Sequence, residues 1–287
     1  MQNLKITDVR AASGDSAFLI DDGRTSILYD SGFGFTGFDV AKNIKSVLGD
    51  RKIDYIFLTH SHYDHALGSA YISEVYKDVK IVAGEYAAKI FQKDSAKNVM
   101  RDLDQKFARA CGVTEYDDLA DNLRVDMPVK DGDSVIAGDM EFLSLHLPGH
   151  TRCSVGYYCK EKKLLLGCET IGVYGGEDVV VPSYLVGIEM TLDSIKKVKA
   201  LDIDYILVPH YGILDREKTK LYLEKAEENA LDVAEKISSM LKSGCSDSQV
   251  FSYFKERFYS GCIKSIYPID AMELNTKIMI ELIKKEL

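Results

Sequence analysis

A chain of 287 residues, 46% of them hydrophobic and 28% charged, has the balance of a soluble globular protein with room for a substantial core. Its net charge of −9, with no run of basic residues, argues against a nucleic-acid surface as its main business, because phosphate binding rests on clustered Lys and Arg. No apolar run reaches membrane-spanning length, the opening segment lacks a signal-peptide layout, and six scattered cysteines form no C-x-x-C pair, so a cytoplasmic protein with no membrane partner is expected.

The first third alternates strand and helix signals. Residues 17–20 and 25–29 are short apolar or β-branched runs flanking Asp21-Asp22-Gly23, which reads as a hairpin. Phe38, Ala41, Ile44 and Leu48 fall at helical spacing over residues 38–48. A strand at 53–58, a histidine-rich loop, a helix from about 66 to 76 and a strand at 79–82 follow. Residues 85–127 read as a charged helical insertion. Strands return at 141–147, 154–159 and 164–167, then a helix near 192–200 and a strand from 203. Beyond residue 213 no strand signal remains. Residues 215–242 form a long amphipathic helix with Leu221, Ala226, Ala230, Val233, Ile237 and Leu241 on one face. Ser246-Asp247-Ser248-Gln249 reads as a helix start, and 269–287 as a final helix. The domains expected are thus a core over 1–213 and a helical extension over 214–287. The extension would serve as a lid or as the contact of a homodimer.

One apolar run occurs twice. IDYIFLTH ends at His60, and IDYILVPH ends at His210. After the first copy the chain continues Ser61-His62-Tyr63-Asp64-His65, so three of the six histidines lie in one hexapeptide beside an aspartate. Idle surface histidines would hardly concentrate so. Imidazole and carboxylate are the ligands borderline divalent ions prefer. A loop leaving a strand lets residues i and i+2 point one way, while i+4 and i+5 turn toward a second ion.

The H-x-H-x-D-H stretch after an apolar strand ending in Thr59 resembles the signature of the metallo-β-lactamase superfamily. Three further motifs of that family stand in order: Asp30-Ser31-Gly32 after an apolar strand, Pro148-Gly149-His150-Thr151, and Pro209-His210-Tyr211-Gly212. The resemblance spans residues 1 to about 213. It implies an α/β fold, a four-layer αββα sandwich of two similar halves, with two metal ions at one edge. It assigns His60, His62 and His150 to one metal and Asp64, His65 and His210 to the other. Asp30 matches a carboxylate that orients a ligand histidine. His146 has no counterpart and reads as a hydrogen-bonding or core residue. The family's bridging aspartate is replaced: the strand Leu164-Leu165-Leu166 runs into Gly167-Cys168-Glu169-Thr170. Aligning the glycine selects Cys168, and aligning the acid selects Glu169. Glu169 is favoured as a bridging carboxylate, with Cys168 as the alternative.

The resemblance implies a hydrolase in which a metal-bridging hydroxide attacks a small-molecule substrate without a covalent intermediate. Asp64 would also orient that hydroxide, and Tyr174 and Tyr211 stand where a phenol could donate to a developing oxyanion. Zinc is favoured, with iron or manganese as alternatives. The helical tail resembles that of the superfamily's quinolone-signal thioesterases, which favours a carboxylic ester, thioester or lactone over a phosphodiester. The family's diiron redox flavoproteins place Glu where His62 stands and carry a flavodoxin domain that this sequence does not show. A signalling protein of low turnover is the third alternative.

Overall fold

The computed structural model describes residues 4–177 and 179–285. The chain divides into two compact units, one taking in the sequence to His146 plus Val155–Lys162, the other Leu147–Ser154 and everything from Lys163 onward.

The first unit contains a six-stranded sheet in sequence order: β1 (Lys5–Asp8), β2 (Phe18–Asp21), β3 (Ser26–Tyr29), β4 (Tyr55–Phe57), β5 (Lys80–Gly84) and β6 (Met127–Val129). β1 to β3 are antiparallel, as the expected hairpin requires, whereas β3 to β6 run parallel. Their core residues Ile27, Leu28, Ile56, Phe57, Ile81 and Val82 are fully buried, in keeping with the near-continuous apolar runs of parallel strands. Two helices cover this sheet's crossovers, α1 (Gly37–Leu48) and, after a four-residue turn α2 (Tyr63–Ala66), α3 (Gly68–Val75). The buried stripe of α1 is Val40, Ala41, Ile44 and Leu48; Phe38 lies outside it, 40% exposed, with its ring edge-on to Tyr71. The insertion contributes α4 (Glu85–Phe91) and α5 (Asp94–Ala110). A three-stranded antiparallel meander, β7 (Ser134–Ala137), β8 (Met140–His146) and β9 (Val155–Cys159), completes the unit. Phe142 and Tyr157 from this meander pack on Phe57, with ring centroids 5.2 and 4.7 Å away.

In the second unit β10 (Leu164–Leu166) is followed by a small ribbon, β11 (Val173–Tyr174) with β12 (Val180–Val181), and by α6 (Ile188–Lys199). β13 (Tyr205–Val208) pairs parallel with β10 and antiparallel with β14 (Gly212–Leu214). Four helices end the chain: α7 (Arg216–Lys242), α8 (Asp247–Phe258), α9 (Ile263–Ile266) and α10 (Ile269–Lys284). The stripe of α7 begins at Tyr222, not Leu221, and runs through Ala226, Ala230, Val233 and Ile237. Ser246 and Gln249 close a reciprocal capping box at the head of α8, as their spacing predicts. These helices share a core with Val173, Val181 and Tyr184, so the extension is built into the second unit. Among the described residues, no helix is long and apolar enough to cross a membrane.

The two IDYI copies occupy matching places. In the first unit the Asp54 amide donates to the Ser26 carbonyl and the Asp30 amide to Phe57; in the second, Asp204 donates to Lys163 and Gly167 to Leu207. Each copy is the strand whose parallel neighbour ends one residue before a key turn, Asp30-Ser31-Gly32 or Gly167-Cys168-Glu169. The repeated tetrapeptide thus marks a repeated strand pair.

Candidate metal centre

His60, His62, Asp64 and His65 belong to the first unit, and His150, Glu169 and His210 to the second. In the first, β4 ends and the chain turns so tightly that α2 begins at Tyr63, three residues before the sequence pattern starts a helix. That turn gathers the rings: His60 lies 4.6 Å from His62 and 4.1 Å from His65, centroid to centroid. His60 and His65 are buried, and His62 and Asp64 are partly exposed.

One carboxylate organises this set. Asp30, fully buried at the end of β3, accepts from Ser16 Oγ at 3.0 Å, the Thr59 amide at 2.9 Å and Thr59 Oγ1 at 3.0 Å. Its Oδ2 is also 2.8 Å from His65 Nδ1. Because Thr59 Oγ1 donates to Asp30, it is left to accept from His60 Nδ1 at 2.9 Å. Asp30 therefore fixes the tautomer of His65 directly and of His60 through Thr59, turning both Nε2 lone pairs outward. Asp30 has φ 52°, a left-handed backbone that a non-glycine residue adopts only where its surroundings enforce it.

The second set is held differently. His150 Nδ1 lies 3.0 Å from the Ser183 carbonyl and 2.9 Å from Ser183 Oγ, which places the ring proton on Nδ1. Thr170 Oγ1 donates to the Leu147 carbonyl at 2.7 Å and accepts from the His150 amide, strapping the Pro148–Thr151 loop to the turn that carries Glu169. Gly149, at φ 147°, is required there: a Cβ would fall 2.2 Å from Thr191 Oγ1. His210 sits at φ 62° in the tight β13–β14 connection, where the Tyr211 amide donates to the Pro209 carbonyl. Glu169 faces both histidines. Its Oε2 lies 2.8 Å from His150 Nε2 and its Oε1 3.2 Å from His210 Nε2.

Cys168 is fully buried, and the buried Tyr222 phenol donates to the Gly172 carbonyl. Tyr174 is buried, its hydroxyl donates to the Glu177 carbonyl, and burial, the first cause, pushes the phenol up to about 12. Tyr211 packs edge-on against it at 4.6 Å and stays partly exposed. His146, at the end of β8, is exposed and not a core residue, and its amide donates to Asp131. Ser16, Thr170 and Ser183 escaped the sequence reading; only the Thr after Glu169 left a motif trace.

The donor chemistry fits a cation. The imidazole nitrogens left as lone pairs converge on carboxylate oxygens, His150 on Glu169 at 2.8 Å and His65 on Asp64 at 3.5 Å. Two acceptors so placed repel unless a positive charge lies between them. The separations also approximate the edge, about 3.3 Å, of a tetrahedron with metal–ligand bonds of about 2.0–2.1 Å.

Comparison with known proteins settles the family. The Metallo-beta-lactamase superfamily matches residues 12–210. This chain belongs to the metallo-beta-lactamase superfamily. Its fold class is that family's α/β sandwich, carrying a helical C-terminal region. A metallo-beta-lactamase family protein from Thermus thermophilus has a similar fold, with a TM-score of 0.65 at 15% identity, covering 100% of this chain and 94% of that one. Flavo-diiron protein FprA2 of Clostridium acetobutylicum is 24% identical over 79% of this chain and 55% of its own length. The hydroxyacylglutathione hydrolase of Bartonella tribocorum is 27% identical over 40% of this chain and 33% of its own. The chain thus spans between about a third and just over half of these curated relatives. As a member of this superfamily it presents a His/Glu metal-binding set of the kind that commonly takes two ions.

Proposed function

We propose that this metallo-beta-lactamase superfamily member is a dinuclear metal-dependent hydrolase of a small carboxylic ester, thioester or lactone. The observation that carries the reading is Glu169, whose two carboxylate oxygens each face a different histidine. On the family pattern, His60, His62 and His150 would hold one ion and Asp64, His65 and His210 the other, with Glu169 as the carboxylate available to both. Zinc is the first choice for this mixed nitrogen and oxygen set.

When bound, such ions supply Lewis acidity and make hydroxide available near neutral pH. The protein's own residues supply position. Asp30 and Ser183 keep His65, His60 and His150 in the tautomer that presents Nε2, so little reorganisation is needed on loading. Asp64, partly exposed, is the carboxylate able to accept a proton from the nucleophile. Tyr211, partly exposed, is a better candidate than Tyr174 to donate to substrate oxygen, because the Tyr174 hydroxyl already donates to Glu177.

The likeness to a flavo-diiron protein over most of the chain favours a second reading, a diiron redox centre. His62 weighs against it, standing where those proteins place Glu. The test is a metal-replete preparation analysed for bound ions, then assayed on aryl esters, thioesters, lactones and bis-aryl phosphates beside a His60→Ala, His62→Ala double variant. Ester or thioester turnover lost in the double variant is expected. Iron with oxygen consumption and no hydrolysis would replace this reading with the second, and turnover indifferent to the double change would end both.

A further inference from the structure

Phe33, Gly34, Phe35 and Thr36 follow the Asp30–Gly32 turn, and each is tied to a buried carboxylate. Asp15 accepts from the Phe33 amide at 3.0 Å and the Thr36 hydroxyl at 2.9 Å. Asp104, on α5, accepts from the Gly34 and Phe35 amides at 2.9 and 3.2 Å and from the Tyr116 hydroxyl. Both acids are fully buried. Removing two carboxylates from water to hold four consecutive residues is costly, and it is far more than a loop needs merely to close.

What these acids hold in place is aromatic. The Phe33 ring lies 5.1 Å from Phe35, 4.7 Å from Phe107 and 5.6 Å from Tyr63, and Phe35 is 6.2 Å from Tyr116. Phe33 is buried beneath the group, whereas Phe35, Tyr63 and Phe107 keep part of their surface open. The cluster is continuous with the histidine turn. Tyr63 stands between His62 and Asp64, Ser31 donates through both its amide and its hydroxyl to the His65 carbonyl, and the Gly68 amide donates to Gly32. The loop that carries Phe33 and Phe35 is therefore tied by hydrogen bonds to the backbone of the histidine turn.

We propose that Phe35, Tyr63 and Phe107 form a subsite that selects an uncharged, apolar acyl or aryl group on the substrate. Phe35 and Phe107 offer area and no hydrogen bonding, Tyr63 adds ring area with its one phenol, and the Tyr116 hydroxyl within the group is already committed to Asp104. The proposal rests on the hydrolase reading for turnover, but not for binding.

Two measurements keep the two apart. In the first, metal-free protein is titrated with hexanamide, phenylacetamide and acetamide, followed by ligand-observed saturation-transfer NMR. Hexanamide or phenylacetamide, or both, should bind at least about tenfold more tightly than acetamide, given roughly threefold or more per buried methylene. The advantage should shrink at least about fivefold in Phe35→Ala and in Phe107→Ala, each checked for a native thermal transition. Phe35→Leu, which keeps apolar bulk, is the fallback if the alanine variant does not fold, and it should cost the aryl ligand more than the alkyl one. In the second, the ratio of kcat/KM for p-nitrophenyl hexanoate over acetate should drop in the same variants. Equal binding of the three amides, or an advantage untouched by every folded variant, would overturn the subsite. No ester turnover with the amide preference intact would instead remove the hydrolase reading and leave the subsite standing.

Discussion

His65 Nδ1 lies 2.8 Å from Asp30 Oδ2, and the same buried carboxylate reaches His60 through the Thr59 hydroxyl. One acid at the end of β3 thus fixes the ring state of two histidines at the end of β4. The strand pairing makes this possible: Tyr29 is in register with Phe57, so the residues just past each strand end meet. The left-handed backbone of Asp30 aims its side chain at that meeting point.

Asp30→Asn tests the arrangement without changing side-chain volume. An amide NH2 facing His65 Nδ1 would make that nitrogen an acceptor and move the proton to Nε2, where a metal must bind. Metal affinity is expected to fall about 10- to 100-fold, read by competition with a coloured chelator. An unchanged affinity in a folded variant would show that Asp30 does not set the tautomer.

Asp104 gives stability a pH dependence. Burial, with Asp15 nearby adding to it, pushes this carboxyl from its ordinary 3.8 up to about 6, although Tyr116, Gly34 and Phe35 donate to it. Between those values the folded state holds more protons than the unfolded state, so this group's contribution declines as pH rises and is flat above about 6. Asp104→Asn removes the effect. The wild-type stability minus that of the variant should fall by about 2 kcal/mol between pH 4 and 6, measured by urea unfolding. A difference independent of pH would show that Asp104 titrates normally.

The C-terminal helices share one core with the strands of the second unit, and Ile280 is fully buried in it. Ile280→Ala should cost about 2–5 kcal/mol, while Leu274→Ala, at a 52% exposed site, should change stability by less than about 0.5 kcal/mol. Both should unfold in the same number of transitions as the wild type. A separate early transition in Ile280→Ala alone would mean that the helices fold apart from the strands.

Much of this was written in the sequence where local chemistry repeats with a period. The strands at 53–58 and 203–208, the capping box at Ser246 and the ligand motifs stand out because each is a short contiguous signal. β6 and β14 are no shorter than β4 and β10, but they lie in no longer apolar run, and the ribbon strands have two residues each; all four exist because neighbours pair with them. Asp15 and Asp104 look like surface acids by residue type. Their burial follows from contacts across 18 and 70 residues, which no window along the chain can see. Ser183 is similar: nothing near it in sequence links it to a histidine 33 residues earlier.

Glu169 and Cys168 are adjacent, and alignment alone could assign either one to the metals. The proposed centre takes Glu169. Glu169 directs one oxygen at His150 and the other at His210, and Cys168 is fully buried. Glu169→Gln keeps the size but leaves one acceptor oxygen, and its NH2 would oppose a histidine lone pair. If Glu169 is the shared ligand of the proposed centre, bound metal should drop by about one ion per chain and hydrolysis should fall at least about 100-fold, since its negative charge would be lost. Cys168→Ser should keep its metal and lose only stability, on the order of 1–3 kcal/mol for a hydroxyl in a thiol's apolar place. Elemental analysis of the two variants side by side decides the matter. If only the serine variant loses metal, the ligand is the thiolate, and the centre is built on sulfur where this structure presents a carboxylate.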